Sequence, residues 1–106
     1  MGTTKLFAHS LRQNRIARLY KALGHPARIA ILEYISKHPE CICNDIVSDI
    51  ELAQATISQH LNELKRAGLI RGESRGKKIY YSINIDKWYE THQISNNFFR
   101  DAQKVM

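Results

Sequence analysis

The chain of 106 residues has few of the features that mark secreted, membrane-spanning or disordered proteins. Its two cysteines, Cys41 and Cys43, lie too close together to form the disulfide framework of a small secreted domain. No apolar run approaches the ~20 residues that span a bilayer, and residues 1–4 do not resemble the start of a signal peptide. With five glycines and two prolines, extended disorder is not expected. We therefore expect one cytoplasmic domain over residues 1–106, with reduced thiols.

Signatures of catalysis are scarce as well. The Cys-x-Cys spacing differs from the Cys-x-x-Cys of thiol oxidoreductases, and no βαβ pattern surrounds it. The sequence has no spacing typical of a nucleophilic triad, no paired-carboxylate motif and no glycine-rich phosphate loop. A domain of this size also has little room for a large pocket beside a complete core. These absences favour a binding protein that acts as an oligomer over an enzyme.

The charge of the chain is basic and unevenly distributed. Sixteen Lys and Arg against ten Asp and Glu give a formal net charge of +6. Residues 1–28 carry basic side chains and no acid, whereas residues 40–52 carry acids and no Lys or Arg. A second basic cluster covers residues 65–78 and includes a single acid, Glu73. Such clusters are typical of surfaces that bind polyanions, although charge runs also occur on plain solvated faces.

The spacing of apolar residues predicts elements in the order α-α-α-α-β-β-α. The first four helices are predicted over residues 6–23, from His25-Pro26 to His38-Pro39, and over residues 42–50 and 54–67. Two short strands, 69–74 and 78–83, are separated by the glycine-containing connection 75–77, and Asp86 is the expected N-cap of the last helix. Two helices joined by a short turn and followed by a basic hairpin indicate a mainly α (α+β) fold, the winged helix-turn-helix.

The helix predicted over residues 54–67 has a polar face that suits the major groove of DNA. With Ile57, Leu61 and Leu64 facing inward, a rotation of about 100° per residue turns small and polar side chains outward. These side chains are Ala55, Ser58, Gln59, Asn62 and Arg66, with Thr56 beside them. Gln and Asn can pair with adenine, and Ser and Thr can bond to several base edges. His60 lies at the edge of the buried stripe, so we expect it to be packed and hydrogen-bonded and not to contact a base.

Five blocks of sequence together resemble the ArsR/SmtB-type winged-helix repressors. They are residues 22–29 (ALGHPARI), 40–46 (ECICNDI), 53–61 (AQATISQHL), 64–70 (LKRAGLI) and 76–82 (GKKIYYS). The resemblance implies a homodimeric repressor that binds a pseudo-palindromic double-stranded operator and releases it when an effector arrives. It also implies DNA contacts by Gln54, Thr56, Ser58 and Gln59 and by the wing residues Arg75, Lys77 and Lys78. Where the family usually has a capping Ser this chain has Ala53, so we expect a frayed first helical turn until DNA binds.

Cys41 and Cys43 lie where the resemblance places a thiolate metal site. Thiolates select soft ions such as Zn, Cd or As(III), and a helix N-terminus is expected to lower the pKa of a thiol. Residues two apart on a helix point to nearly opposite sides, so both thiols can reach one ion only if Cys41 precedes the first turn. A closed zinc site also takes more ligands than two thiols. A soft-metal or redox sensor, a vestigial apolar pair and a different trigger all stay open.

The first and last predicted helices carry apolar side chains that a DNA-binding core does not use. In so small a domain a partner subunit is the expected cover, and the resemblance implies dimerisation through the same two helices. The expected interface residues are Leu11, Leu19, Trp88, Ile94, Phe98 and Phe99. The alternatives are a repressor of this type without a metal site, and a winged-helix module that binds protein instead of DNA.

Overall fold

The computed structural model describes residues 8–106 and has the predicted order of elements. The elements are α1 (Leu11–Leu23), α2 (Pro26–Lys37), α3 (Cys43–Ile50), α4 (Gln54–Arg66), β1 (Ile70–Arg75), β2 (Lys78–Ile83) and α5 (Ile85–Gln103). The two strands form an antiparallel hairpin, which is the wing. The prediction of a winged helix-turn-helix is therefore confirmed. Within the described residues, none of the helices is long and apolar enough to cross a membrane.

Helix α1 begins later than its apolar spacing predicts. The Ser10 side chain accepts a hydrogen bond from the Gln13 backbone N–H at 3.0 Å, and the Gln13 side chain accepts one from the Ser10 N–H at 3.0 Å. This reciprocal capping box starts the helix at Leu11. The predicted start near Leu6 is wrong, because residues 8–10 are not helical. Leu6 itself and Phe7 lie outside the described residues.

Helix α5 begins one residue after Asn84, and this corrects the predicted N-cap. The Asn84 side chain accepts a hydrogen bond from the backbone N–H of Lys87 at 3.3 Å. Asp86 is not the N-cap but lies in the first turn, where its carboxylate faces the positive end of the helix dipole. Asn and Asp are comparable caps, so spacing alone did not separate these two neighbouring candidates.

The wing is tighter than the predicted three-residue connection. Arg75 pairs with Lys78, which leaves a two-residue turn of Gly76 and Lys77. Gly76 has φ +64, a left-handed conformation that glycine adopts without strain. The base of the wing is attached to the loop before α3, since the backbone N–H of Tyr81 donates to the carbonyl oxygen of Cys41 at 2.8 Å.

The core lies between α2, α3, α4 and the base of the wing. Its fully buried side chains are Ile31, Ile35, Ile46, Ile57, Leu61, Leu64 and Leu69, with Ile70 at 2% exposure. The inward face predicted for α4 is therefore confirmed. In contrast, the 19-residue helix α5 contributes no buried residue to the described chain.

A small polar cluster joins the N-terminus of α2 to α4. The Arg28 guanidinium donates from Nη1 to the carbonyl oxygens of Lys21 and Ala22, at 3.2 and 3.3 Å, and from Nε to Nδ1 of His60 at 3.2 Å. The His60 ring lies 4.5 Å from that of His25, whose Nδ1 accepts from the first turn of α2. The expectation of a packed, hydrogen-bonded His60 is confirmed.

This cluster predicts that acid destabilises the fold. Burial, and then the charges of His25 and Arg28, lower the pKa of His60 below its ordinary value near 6.5. Protonation therefore favours the unfolded chain, and the contribution of His60 to stability is present above pH ~6.5 and lost as the pH falls below that value. We expect the free energy of unfolding, measured by urea titration from pH 7.5 to 5.0, to fall more steeply in wild type than in His60→Gln. Equal slopes in the two proteins would contradict this prediction.

Candidate nucleic-acid interface

A short turn sets α4 against α3. Glu51 has φ +60, and its N–H donates to the carbonyl oxygen of Val47 at 3.2 Å, which ends α3. Ala53 caps α4 without a side-chain hydrogen bond, as its side chain dictates. Even so, α4 is helical from Gln54 onward, with the N–H of Ile57 bonded to the Ala53 carbonyl at 3.0 Å. The first turn of α4 is thus formed without a side-chain cap, with Ile57 of its inward face fully buried, and fraying of this turn in the absence of DNA stays a prediction.

The outward face of α4 collects the predicted DNA contacts. All of them are exposed: Gln54, Thr56, Ser58, Gln59, Asn62 and Arg66. Arg66 at the C-terminal end donates to Glu63 at 2.7 Å, one turn back on the same helix. No large apolar side chain lies among these residues, so the face can approach a surface of base edges closely.

The wing presents its three predicted contacts in two different ways. Lys77 and Lys78 are exposed at the tip. Arg75 instead donates to the carboxylates of Glu40, at 2.6 Å, and Glu73, at 2.9 Å, and lies 4.7 Å from the centre of the Tyr80 ring.

These contacts shift the pKa values of Glu73 and Arg75 in opposite directions. The hydrogen bond from Arg75 holds the pKa of Glu73 below its usual value, and the two carboxylates raise the pKa of Arg75. Arg75 thus joins the wing to the loop before α3, and a DNA contact by this residue stays a prediction. The sequence carries no signal for the pairing with Glu40, which lies 35 positions away.

A groove runs between α4, the wing and the N-terminus of α3. It has a volume of about 270 Å³. Its polar and reactive lining consists of Cys43, Asn44, Gln54, Ser58, Lys77 and Lys78. No pattern in the sequence singled out Asn44, although it lies at the N-terminus of the first helix of the helix-turn-helix, the helix that crosses the DNA backbone.

The two cysteines differ in position and burial. Cys41 precedes the first turn of α3, as the sequence required for both thiols to reach one ion, and it is 5% exposed. Burial raises the pKa of the Cys41 thiol to about 11, and burial also raises the pKa of Cys43. The expectation of a lowered thiol pKa is therefore wrong, because burial disfavours the charged thiolate at both positions.

The residues around the cysteines do not fit a closed metal site. Across residues 8–106, no group of three or more His, Cys, Asp or Glu side chains is arranged to hold a metal ion. A metal ion binds the deprotonated thiolate. Because the pKa values of both thiols are raised, the protein environment favours the protonated form, which opposes metal binding. What the pair offers chemically is a partly exposed thiol, Cys43, beside a buried one.

The residues expected at a dimer interface belong to α1 and α5, and four of the six are exposed. Leu11 is 86% exposed, Phe99 60%, Trp88 39% and Phe98 37%, while Leu19 and Ile94 are partly buried. Further exposed apolar side chains on and beyond α5, which the sequence analysis did not select, are Ile85, Tyr89 and Val105. The two helices are held together by a hydrogen bond between the hydroxyls of Tyr20 and Ser95.

Comparison with known proteins agrees with this architecture. Residues 25–71 match the family described as bacterial regulatory protein, arsR family. The transcriptional repressor PagR of Bacillus anthracis is 37% identical over 71 residues, covering 67% of this chain and 71% of PagR. The cadmium resistance transcriptional regulatory protein CadC of Listeria innocua is 32% identical over 84 residues, 78% of this chain and 70% of CadC.

A solved structure extends the similarity to the fold. The homodimeric winged helix-turn-helix DNA-binding domain Mb0332 of Mycobacterium bovis, a possible ArsR-family regulator, superimposes with a TM-score of 0.65 at 25% identity. The match covers 80% of this chain and 81% of that domain. Together with the exposed polar face of α4 and the basic wing, these similarities show that the chain belongs to the arsR family of DNA-binding transcriptional regulators, which are not enzymes.

Proposed function

We propose that this protein is a homodimeric repressor that binds a pseudo-palindromic operator through α4 and the wing. The observation that carries the proposal is the division of α4 into a fully buried apolar face and an exposed polar face. Gln59 and Asn62 contact base edges in the major groove, and Gln54, Thr56 and Ser58 contact bases or phosphates at the N-terminal end of the helix. Lys77 and Lys78 bind phosphates beside the wing.

Base contact by Gln59 predicts a loss of both affinity and specificity in Gln59→Ala. We expect binding to a duplex selected by the wild-type protein from a random-sequence pool to weaken by ~1–3 kcal/mol for each of the two half-sites, with a smaller loss on a scrambled duplex. Fluorescence anisotropy titrations measure both values, and Gln103→Ala, at the far end of α5, is the control. If Gln59→Ala keeps the wild-type ratio of the two affinities, Gln59 does not contact bases. A wild-type protein that binds no duplex would favour the protein-interaction module.

The dimer follows from the apolar surface of α1 and α5. A helix of 19 residues without one buried side chain is unusual in a folded domain, and its aromatic residues are those that a protein interface favours. The homodimeric domain from Mycobacterium bovis supports the same arrangement. In a two-fold dimer, the two α4 helices meet successive major grooves ~34–36 Å apart. Leu11, Leu19, Trp88, Ile94, Phe98 and Phe99 form the interface.

A charge placed in this surface is expected to separate the subunits. Phe99→Glu would bury a carboxylate against apolar side chains, so we expect a monomer by analytical ultracentrifugation at micromolar concentration and much weaker binding to a two-half-site duplex. The control is Gln93→Glu, which adds the same charge to an exposed polar position of α5. A Phe99→Glu protein that sediments as a dimer would contradict the assignment.

For release from DNA we propose thiol chemistry at Cys43. Cys43 lines the same groove as Gln54, Ser58 and Lys78. A group attached to the Cys43 sulfur would therefore occupy the space that the proposed DNA backbone needs. The similarity to a cadmium resistance regulator supports a thiol-directed effector. Cys41 is buried and acts through packing, and a closed metal site is not part of this proposal.

The thiol proposal predicts a difference between the two cysteines. Alkylation of the wild-type protein with N-ethylmaleimide should abolish operator binding, and Cys43→Ser should resist the reagent because its reactive sulfur is gone. Cys41→Ser is the matched control and should stay sensitive. Electrophoretic mobility shifts, with mass spectrometry to count adducts, provide the measurement. Release by alkylating and oxidising reagents in Cys41→Ser/Cys43→Ser would exclude the cysteines as the sensor.

A further inference from the structure

A second basic surface lies at the C-terminal end of α4, away from the wing. Two adjoining cavities of about 290 and 200 Å³ share Arg18, Arg66 and Ala67, and we call them together the basic trough. The trough is bounded by α1, the N-terminus of α2, the end of α4 and α5. Its basic lining residues are Arg15, Arg18, Lys21, Arg28, Arg66 and Lys87. The α1–α5 side of the larger cavity is formed by Leu19 and Ile94, so the trough borders the proposed dimer interface there, whereas the smaller cavity contains neither residue.

Intramolecular pairs neutralise only part of this charge. Glu63 pairs with Arg66 at 2.7 Å, and Glu90 lies 4.0 Å from Arg15 and 3.6 Å from Lys87. Two acids therefore face six basic side chains.

The remaining basic groups of the trough differ in how they are held. The guanidinium of Arg28 is fixed by its bonds to α1 and His60. The guanidinium of Arg18 and the ammonium group of Lys21 have no hydrogen bond or ion pair with any described residue. The trough thus carries a net positive charge that the fold itself does not use.

The trough continues the outward face of α4. Arg66 lies four residues after Asn62 and seven after Gln59, so the three share one face of the helix. Arg66 lies ~12 Å from Ser58 along the axis of α4. A straight helix in a curved major groove approaches the sugar-phosphate backbone at its ends. The wing lysines serve the N-terminal end of α4, and the trough lies at the other end.

We propose that the basic trough binds the phosphodiester backbone of the operator at the C-terminal end of α4, beyond the bases that α4 contacts. This inference rests on the proposed function and extends the DNA interface to α1 and the N-terminus of α2. Arg18 is the central contact, since it lines both cavities and its guanidinium has no partner among residues 8–106.

The shape of the trough favours an extended polyanion over a small anion. The side chains of Arg15 and Arg66 are 63% and 73% exposed, so the cations lie along an open rim. In the described part of the chain, no buried side-chain nitrogen or oxygen lacks a hydrogen-bond partner, so no buried donor waits for a small ligand. An open row of cations binds a phosphate backbone by releasing condensed counterions.

The test compares two arginines of the same helix. Arg18→Gln removes the proposed contact, and Arg12→Gln removes the same charge from an exposed position of α1 outside the trough. Both proteins are titrated with the duplex selected by wild type and with a scrambled duplex, from ~50 to ~200 mM salt. We expect Arg18→Gln to reduce the slope of log K against log salt by about 1.8, or about 0.9 for each subunit of the homodimer, with an equal fold-loss on both duplexes. Arg12→Gln should keep the wild-type slope.

Phosphate ethylation interference locates the contact. Ethylated positions that weaken wild-type binding but no longer affect Arg18→Gln are expected outside the base-contacted segment. Equal slopes for Arg18→Gln and Arg12→Gln would overturn the proposal. An unchanged slope, with inorganic pyrophosphate lowering the operator affinity of wild type at constant ionic strength, would assign the trough to a small anion instead. A wild-type protein without any duplex binding would reject the proposed function itself, and the trough contact with it.

Discussion

The interface depends on the burial of one face of α4. Ile57, Leu61 and Leu64 are fully buried, and burying an aliphatic side chain contributes ~1.5–3 kcal/mol. Exposed ion pairs such as Arg66–Glu63 contribute far less, typically under ~1 kcal/mol. Packing therefore fixes the rotation of the helix about its axis. Once that rotation is fixed, the polar face must point outward, and it does so without a side-chain cap at Ala53.

The basic side chains fall into two groups: those that form ion pairs within the fold, and those that are available to bind a partner. Arg75 has two carboxylates within 2.9 Å and stabilises the attachment of the wing to the loop before α3. Among residues 8–106, no acid pairs in this way with Lys77, Lys78 or Arg18. Basic side chains without an acid partner therefore lie near both ends of α4, where a polyanion would approach, and their attraction is screened over a Debye length of ~10 Å at 0.1 M salt.

The sequence predicted the features that depend on local periodicity, and it could not predict those that depend on tertiary contacts. The order of elements and the two faces of α4 follow from apolar spacing, which is a property of neighbours along the chain. The bond from Arg75 to Glu40 joins residues 35 positions apart, so no local pattern encodes it. The predicted direction of the thiol pKa shift was wrong for the same reason, since the pKa of Cys41 is raised chiefly by burial, which depends on tertiary packing.

The same burial connects the cysteine segment to the DNA-facing elements. The carbonyl oxygen of Cys41 accepts the N–H of Tyr81 in β2, and its side chain lies in the core with Ile46 of α3 and Leu61 of α4. Because protein interiors are closely packed, a larger or charged group at Cys41 has no space without displacing part of this core. The core includes residues of the wing, of the helix that precedes the turn and of the helix that carries the polar face. A chemical change at Cys41 therefore cannot stay local, whereas one at Cys43 acts directly in the groove between α4 and the wing.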